Sequence, residues 1–325
     1  MVINIATSLD DNFARYTYVM MLSALENRKD DDEYHFYILH AGLKESNISL
    51  LLSLQNQYTD CKIIPIMVDK SKFGNKLPTC SKWTIAMYYR LMLVELIPED
   101  VDRIIYLDGD IIVNKSLSEL AIIPFDENKL IMACEDYMGT ESQLEVNYVC
   151  RVIFEKGLKY VNSGFLMIDM NLLRSRYSFD YYMQEAMKLV DMAVLDCPDQ
   201  DILNYVHMDD IQLLDNAKYN LFAKQAYARG IMYEDIKRDV TIVHYASQKP
   251  WHGQYMHTNT EQIWWEYAKK TPFYVDLVDE FMKACLSDSY VIDQNLSLMV
   301  ENKKLKEIND LQKQVIDKLM NANNM

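Results

Sequence analysis

Short apolar runs alternate with longer amphipathic stretches through the first half of the chain. The short runs have the length and composition of buried β-strands, and they cover residues 2–6, 34–39, 63–68, 104–107, 130–134 and 165–168. The longer stretches, residues 13–25, 47–54 and 85–96, carry apolar side chains at helical spacing. This alternation predicts an α/β fold with a mixed, mostly parallel sheet flanked by helices. Ligands of such sheets bind beyond the carboxyl ends of the strands.

The pattern changes near the C-terminus, where residues 293–325 become rich in Lys, Glu, Asn and Gln. Several apolar residues keep a rough helical period there, although Gln312 interrupts it: Leu298, Leu305, Ile308, Val315 and Leu319. This spacing predicts a long helix. Three arrangements stay open, since the helix could pack on the rest of the chain, extend as a frayed end, or bind a partner as a coiled coil.

Aromatic side chains crowd the segment before that helix: Trp264, Trp265, Tyr267, Phe273 and Tyr274. Aromatic residues at helical spacing favour a place in the core. An element that contacts a second substrate, or one that lies on a membrane surface, is the alternative.

Two aspartates one residue apart interrupt the apolar run over residues 103–113, whose sequence is RIIYLDGDIIV. Unpaired carboxylates in a buried strand are costly, so Asp108 and Asp110 favour a hard divalent cation as their partner. Gly109 between them lets the backbone turn tightly and lets a ligand approach closely. The alternative is a strand end that turns into solvent.

Composition narrows the classes of partner. The chain has 325 residues, 50% of them hydrophobic, which predicts one large domain plus an appendage. Its net charge of −15 argues against nucleic acid or an anionic membrane as the main partner. The six cysteines form no C-x-x-C pair, as is typical of reduced cysteines in the cytosol. No signal peptide or long apolar segment is visible, so we expect a cytoplasmic protein, with peripheral attachment at the inner face of the membrane as the alternative.

Further segments place polar residues beside apolar runs. They are residues 5–13 (IATSLDDNF), 88–91 (YYRL), 133–136 (ACED), 160–168 (YVNSGFLMI), 198–204 (PDQDILN) and 242–253 (IVHYASQKPWHG). Alone, each has an ordinary structural interpretation. Asp10 and Asn12 could cap a helix, Asp199 could cap another that Pro198 helps to start, and His244 could be a satisfied core residue. In this order, and together with YLDGD, the segments resemble the family 8 retaining glycosyltransferases, sugar-nucleotide enzymes with the Rossmann-like GT-A fold.

The resemblance covers about residues 1–255 and implies a GT-A catalytic domain there, followed by a helical region over residues 256–325. The residues it implies for binding the sugar nucleotide are Ala6, Thr7, Asp10, Asp11, Asn12, Phe13, Arg90, Asp108, Gly109, Asp110 and Lys249. The implied metal ligands are Asp108, Asp110 and His244. The residues implied to act at the donor sugar are Arg90, Asp136, Asn162, Asp199 and Gln200.

The chain departs from the family pattern at a few positions. Phe13 stands where the family usually has a tyrosine, so a stacking face is kept and a hydroxyl is lost. Lys82 falls where some relatives place a histidine near the phosphates. Ala246 and Ser247 stand where relatives often carry a glycine, which bears on how this loop closes over the phosphates.

The implied chemistry is transfer of a sugar from a nucleoside diphosphate, in which charge builds on the leaving diphosphate. A cation held by two carboxylates and an imidazole would stabilise that charge, and this ligand set suits Mn²⁺, with Mg²⁺ as the second choice. The resemblance further implies UDP-glucose or UDP-galactose as donor and retention of the anomeric configuration. It also implies a glycan, lipid-linked or protein-linked acceptor, as in bacterial enzymes of lipooligosaccharide and cell-surface glycan synthesis. The C-terminal region is a candidate contact with a membrane or another subunit.

Two alternatives remain at this point. A haloacid-dehalogenase-like phosphatase also places Asp-x-Asp after an apolar strand, with the first acid as nucleophile. Such enzymes usually carry the motif near the start of the chain, and they would not explain residues 242–253. A non-catalytic sugar-nucleotide-binding module, or one that glycosylates its own tyrosines, is the other alternative.

Overall fold

The computed structural model describes residues 1–74, 77–79, 84–136, 147–246, 249–252, 260–287, 296, 298–310 and 312–313. Among these residues, no helix combines the length and the apolar character needed to cross a membrane. The described cysteines, Cys61, Cys134, Cys150, Cys197 and Cys285, form no disulfide with one another.

The strands are β1 (Val2–Ser8), β2 (Glu33–His40), β3 (Cys61–Met67), β4 (Arg103–Leu107), β5 (Ile111–Val113), β6 (Ile131–Glu135), β7 (Val161–Asp169), β8 (Ile211–Leu214), β9 (Leu221–Phe222) and β10 (Ile242–His244). The α-helices are α1 (Ala14–Glu26), α2 (Glu45–Leu52), α3 (Leu93–Leu96), α4 (Ser118–Ala121), α5 (Tyr148–Glu155), α6 (Met170–Arg176), α7 (Phe179–Met192), α8 (Pro198–His207), α9 (Asn216–Tyr219), α10 (Ala223–Ala228), α11 (Tyr233–Asp239), α12 (Thr260–Ala268) and α13 (Tyr274–Cys285). The 3₁₀ segments are Ser53–Asn56, Lys70–Phe73 and Ile85–Met92.

Seven strands form one sheet in the order β3-β2-β1-β4-β7-β6-β8. Strand β7 runs antiparallel to both of its neighbours, β4 and β6, whereas β1 is parallel to β2 and to β4. The predicted mixed, mostly parallel sheet is confirmed, and each predicted strand is present. The carboxyl ends of β1 and β4 lie at one edge of this sheet, where a ligand site is expected.

A second sheet of three strands, in the order β5-β10-β9, packs beside the first. Strand β10 is antiparallel to β5 and parallel to β9. The apolar run of residues 103–113, predicted as one strand, is therefore split between two sheets. The acids lie at the junction, because Asp108 follows β4 in the large sheet and Asp110 precedes β5 in the small one.

Both faces of the large sheet are buried. Along β1, Ile3 and Ile5 pack in the core that contains α1, whereas Ala6 packs in the opposite core beside Tyr88. This alternation follows from the two-residue period of a strand. Each fully buried aliphatic side chain contributes about 1.5–3 kcal/mol, so the two cores hold the strand ends firmly in place.

Some local predictions need correction. Residues 85–96, predicted as one amphipathic helix, form a 3₁₀ segment over Ile85–Met92 and only a single α-helical turn at Leu93–Leu96. The 3₁₀ form holds Arg90 inward, where its side chain bonds acceptors on other elements. Strands β8 and β9 were not predicted, because β8 is half exposed and β9 has two residues, too short for a periodic signal.

The aromatic segment after residue 260 belongs largely to the core. Trp264 and Tyr267 on α12 and Phe273 before α13 are buried in the core beside α1, which confirms the core interpretation for these residues. Tyr274 is 37% exposed. Residues 298–310 are helical, and Leu298 lies there with its side chain exposed. The domain division at residue 255, the full helix over 293–325 and a membrane or subunit contact stay predictions.

Candidate active site

The connection between β4 and β5 carries both acids of the Asp-x-Asp pair. Asp108 is held because its backbone N–H donates to the Gly164 carbonyl at 2.8 Å. Asp110 is held next to β10, where His244 pairs in register with Ile111. One ligand atom from each of Asp108, Asp110 and His244 lies within 4.8 Å of the others. The structure thus brings together the three residues that were predicted as metal ligands.

Gly164 in β7 makes the room between two of these side chains. A Cβ at this position would lie 2.5 Å from both Asp108 Oδ2 and His244 Cε1, a distance that real Cβ atoms do not reach. The Nε2 atom of His244 lies 3.3 Å from Asp110 Oδ1. Two carboxylates and an imidazole nitrogen form a mixed oxygen and nitrogen donor set, which fits Mn²⁺ or Mg²⁺.

Lys249 reaches this group from the loop after β10. Its Nζ donates to Asp110 Oδ2 and to the Tyr245 carbonyl, the latter at 2.8 Å. Burial opposes charge on the Asp110 carboxyl, but Lys249 and His244 outweigh it and hold the pKa of this group well below its usual range. Asp110 is therefore ionised and partnered by a lysine in this structure.

The loop that carries Lys249 is anchored by an aromatic stack. Trp251 packs face to face on Tyr16 of α1, with 3.8 Å between ring centroids. Phe13 meets both rings edge to face. Such pairs contribute about 0.5–1.5 kcal/mol each beyond their area burial, so the stack fixes the loop against α1.

Gly109 packs against the same helix. A Cβ at Gly109 would lie 2.4 Å from Thr17 Oγ1 and 3.3 Å from Phe13 Cδ1. The missing side chain therefore lets the connection between the sheets approach α1. The sequence analysis gave two other reasons for this glycine, a tight backbone turn and close approach of a ligand, and contact with the nucleotide stays a prediction.

Arg90 is buried at the centre of the site rather than solvated at the surface. Its Nη2 donates to Asp108 Oδ1 at 2.8 Å, its Nη1 donates to the Ser163 carbonyl at 2.6 Å, and its Nε lies 3.2 Å from Asp199 Oδ2. The guanidinium also stacks over the Tyr106 ring, 4.5 Å from the centroid. Burial disfavours its charge, but Asp108, Tyr106 and Asp199 outweigh this and raise the pKa of Arg90. Arg90 thus joins the metal-ligand end of the site to the start of α8.

Asp136, Asn162 and Gln200 form a closed cluster of hydrogen bonds, called here the amide cluster. Asn162 Nδ2 donates to Asp136 Oδ2 at 3.1 Å and to Gln200 Oε1 at 2.9 Å. Gln200 Nε2 also donates to Asp136 Oδ2, at 3.1 Å, and its Oε1 accepts the Ser163 N–H at 3.0 Å. The strand predicted over residues 165–168 begins earlier in the structure, so Asn162 lies inside β7.

Helix α8 presents Asp199 and Gln200 at its first turn. Pro198 occupies the first helical position, as predicted, but Asp199 does not cap the helix. The residue that serves the helix start is Asp201, whose Oδ2 accepts the Cys197 N–H at 3.2 Å. Asp199 is left to face Arg90, and burial raises the pKa of its carboxyl despite that partner.

Two acidic side chains in the loop after β1 accept hydrogen bonds from other residues of the protein. Asp10 accepts the Asn12 N–H at 2.9 Å and the Thr84 hydroxyl at 3.1 Å. Asp11 accepts from Asn47 Nδ2 at 2.7 Å. The suggested capping role is wrong, because α1 has Phe13 as its N-cap residue and no side-chain cap. Nucleotide contacts of Asp10, Asp11, Asn12 and Phe13 stay predictions.

Ala6 and Thr7 lie near the carboxyl end of β1 and are fully buried. The hydroxyl of the next residue, Ser8, bonds the Tyr106 hydroxyl at 2.6 Å, and Tyr106 donates to Asp108 at 3.1 Å. This link places the end of β1 and the Asp-x-Asp pair at one edge of the sheet, as expected. The residues Lys82 and Ser247, singled out in the sequence, lie outside the described residues.

Sequence reasoning missed Tyr106, the hydrogen-bonding role of Ser163, and Asn220. Asn220 is 1% exposed, and its Oδ1 lies 2.9 Å from His244 Nδ1. It precedes the two-residue strand β9, so no periodic pattern points to it. A buried asparagine beside a predicted metal ligand becomes visible only when β9 and β10 are paired in the fold.

Comparisons with known proteins identify relatives of this chain. A lipopolysaccharide 1,2-glucosyltransferase from Escherichia coli is 28% identical over 259 residues, which cover 77% of this chain and 73% of the relative. The structure of the galactosyltransferase LgtC in complex with donor and acceptor sugar analogues is similar with a TM-score of 0.67 and 25% identity, over 83% of this chain and 96% of that one.

The apo structure of the bifunctional glycosyltransferase WbbM also has a TM-score of 0.67, at 18% identity, and shows a common fold alone. This chain spans about half of WbbM, 52% of its length. The likeness to these structures confirms the GT-A fold. The family model described as glycosyl transferase family 8 matches residues 4–254. The chain therefore belongs to glycosyl transferase family 8 and is a glycosyltransferase.

Proposed function

We propose that the chain transfers glucose or galactose from a UDP-sugar to a hydroxyl of a glycan acceptor, with a divalent cation and with retention of configuration. The observation that carries this proposal is the meeting of Asp108, Asp110 and His244 beside the amide cluster in a member of family 8. The names of a glucosyltransferase relative and a galactosyltransferase neighbour support the two hexoses. The lipopolysaccharide named for the relative supports a glycan acceptor, with lipid-linked and protein-linked acceptors as variants.

The donor set fits a divalent cation at Asp108, Asp110 and His244, and the imidazole favours Mn²⁺ over Mg²⁺. When bound there, the cation supplies Lewis-acid stabilisation of the charge that develops on the diphosphate. Lys249 is proposed to act on the same diphosphate. In the structure it pairs with Asp110, and we infer that it exchanges this carboxylate for a phosphate oxygen when the donor binds.

Arg90 and the amide cluster are proposed to act at the donor sugar. The fixed contacts of Arg90 keep Asp108 and Asp199 in place before the donor arrives, so little reorganisation is needed during the reaction. Asp136 and Gln200 present carboxylate and amide groups next to each other, and such oxygens favour an electron-poor anomeric carbon.

A nucleophilic role for Gln200 is disfavoured. Its Oε1 accepts from Asn162 and from the Ser163 N–H, so attack by this atom would break two existing hydrogen bonds. We infer that Gln200 orients the sugar and holds Asp136. Ala6, Thr7, Asp10, Asp11, Asn12 and Phe13 are proposed to surround the uridine, and Gly109 to approach the donor.

The phosphatase alternative is wrong, because the family match identifies the chain as a glycosyltransferase. Self-glycosylation is a second acceptor mode that the 23 tyrosines leave open. Intact mass after incubation with a UDP-sugar separates the two modes, since added hexose on the protein would establish self-modification and an unchanged mass would exclude it.

The test is release of UDP from a panel of UDP-sugars with Mn²⁺, with and without a chelator, comparing the wild type with Asp110→Asn. We expect release with one sugar, and its loss with chelator or substitution. Asp126→Asn is the matched control, because Asp126 lies on the surface before β6. Release that ignores both the chelator and Asp110→Asn would contradict the metal assignment.

A further inference from the structure

Asn220 connects the two ends of the active site. It lies at the start of β9, which pairs in parallel with β10 so that Phe222 stands opposite His244. Its side chain bonds His244 Nδ1 on one side, at 2.9 Å, and Asn162 Oδ1 on the other, at 3.0 Å. Asn220 is thus the bridge between a candidate metal ligand and the amide cluster.

Backbone groups fix the direction of these hydrogen bonds. The Gly164 N–H donates to Asn162 Oδ1 at 3.1 Å, so this atom is the amide oxygen and an acceptor. The Ser163 N–H likewise identifies Gln200 Oε1 as an oxygen, which accepts from Asn162 Nδ2. Both ends of the Asn162 amide are therefore assigned by the main chain of β7, whose N–H groups can only donate.

The same argument shows which ring nitrogen of His244 carries a proton. The group of Asn220 that faces Asn162 Oδ1 must be its NH₂, and its Oδ1 must then face His244. An amide oxygen only accepts, so the Nδ1 atom of His244 carries a proton. The other ring nitrogen, Nε2, faces Asp110 at 3.3 Å from its Oδ1 and is the ring atom that a cation at this group would bind.

We propose that Asn220 is a positioning residue that fixes the Nδ1–H tautomer of His244 and couples the metal-ligand group to the amide cluster. The metal part of this inference rests on the proposed function. Each donor in the chain from His244 through Asn220 and Asn162 to Gln200 and Asp136 points toward the Asp136 carboxylate. A change in the histidine is therefore transmitted through hydrogen bonds to the groups at the donor sugar.

Two substitutions separate the roles of Asn220. Asn220→Leu removes both bonds, whereas Asn220→Asp keeps an acceptor for His244 Nδ1–H and loses the donor to Asn162. Asn114→Leu is the matched control, because Asn114 is also buried beside the small sheet but donates to the carbonyls of Ile236 and Val240. A loss of thermal stability common to all variants is a packing effect that this control measures.

The first readout is the tautomer of the neutral His244 ring in metal-free full-length protein, from ¹⁵N spectra of histidine-labelled samples recorded at a pH where the imidazole carries one proton. We expect Nδ1–H in the wild type and in Asn220→Asp, and loss of this preference in Asn220→Leu. An Nε2–H tautomer in the wild type, or an unchanged tautomer in Asn220→Leu, would overturn the proposal. This readout needs neither metal nor turnover, so it separates failure of the inference from failure of the proposed function.

The second readout is the dissociation constant for Mn²⁺, measured by electron paramagnetic resonance without nucleotide. We expect about 10–100-fold weaker binding in Asn220→Leu, as for other groups that orient a metal ligand, and no weakening in Asn114→Leu. Asn220→Asp should keep the affinity and lose kcat, because the link to Asn162 is broken. Equal affinities in the wild type and Asn220→Leu would refute the positioning role, and absence of Mn²⁺ binding by the wild type even with UDP present would refute the proposed function.

Discussion

The two ends of the active site are built on different principles. At the amide cluster, Asp136, Asn162 and Gln200 hydrogen bond to one another and to β7. At the other end, Asp110 lies against His244 and is paired with Lys249 from a loop. The first arrangement is preorganised, because its partners are internal. The second concentrates charge, and its balance would change on binding of the proposed cation and diphosphate. Substitutions at the two ends should therefore have different effects on metal binding and on turnover.

The largest effect is expected at the charged end. Asp108→Asn removes a proposed metal ligand and one of the carboxylates that pair with Arg90, so kcat/KM should fall by at least about 10³-fold and Mn²⁺ binding should weaken as well. Steady-state kinetics and a Mn²⁺ titration check this. Asp102→Asn, just before β4 at the opposite end of the strand, is the control, and turnover retained by Asp108→Asn would disprove the assignment.

A substitution in the amide cluster should leave the affinity for Mn²⁺ unchanged. Gln200→Leu removes the acceptor of the Ser163 N–H and one donor to Asp136, so kcat should fall by about 10²-fold with unchanged Mn²⁺ affinity. Gln212→Leu, on the half-exposed strand β8, controls for loss of a glutamine. If Gln200→Leu lost metal affinity as strongly as Asp108→Asn, the distinction between the two ends would disappear.

Lys249→Met should have opposite effects on the binding of Mn²⁺ and on the binding of the donor. Without nucleotide, removal of the cation that pairs with Asp110 should tighten Mn²⁺ binding several-fold. With the donor present, the lost phosphate contact should raise KM by about tenfold. Titration calorimetry with and without UDP measures both effects, and weaker Mn²⁺ binding in the absence of nucleotide would speak against the exchange of partners by Lys249.

The smallest effect concerns stability and involves the far end of α8. His207 is buried there, bonded to the Tyr182 hydroxyl at 2.6 Å, and burial lowers its pKa from the ordinary 6.5. The unfolded chain therefore binds a proton more readily, and the contribution of His207 to stability is lost as the pH falls below 6.5. Thermal unfolding between pH 7 and 5 should show a shallower pH dependence in His207→Gln. An unchanged slope would assign the dependence to other groups.

The sequence predicted the framework of the sheet because its central strands are buried on both faces and carry continuous apolar runs. It also placed Asp108, Asp110 and His244 in one group, through the order of motifs rather than through any local rule. Asn220 escaped notice because its importance comes from the pairing of two short strands. The burial of Arg90 was also missed, since a local pattern does not report which carboxylates will surround a helical cation.

The split of residues 103–113 between two sheets has a consequence for how the protein is made. Lys249 and Asp110 lie 139 residues apart in the chain, yet they pair across the junction of the sheets. A nascent chain that exposes Asp108 and Asp110 lacks both His244 and the lysine until most of the fold has been synthesised. The two acids repel each other during this interval. The entropic cost of closing the long loop is offset only when Lys249 and His244 reach Asp110. The pairing of Lys249 with Asp110 thus forms only after β10 has reached its place, late in the synthesis of the chain.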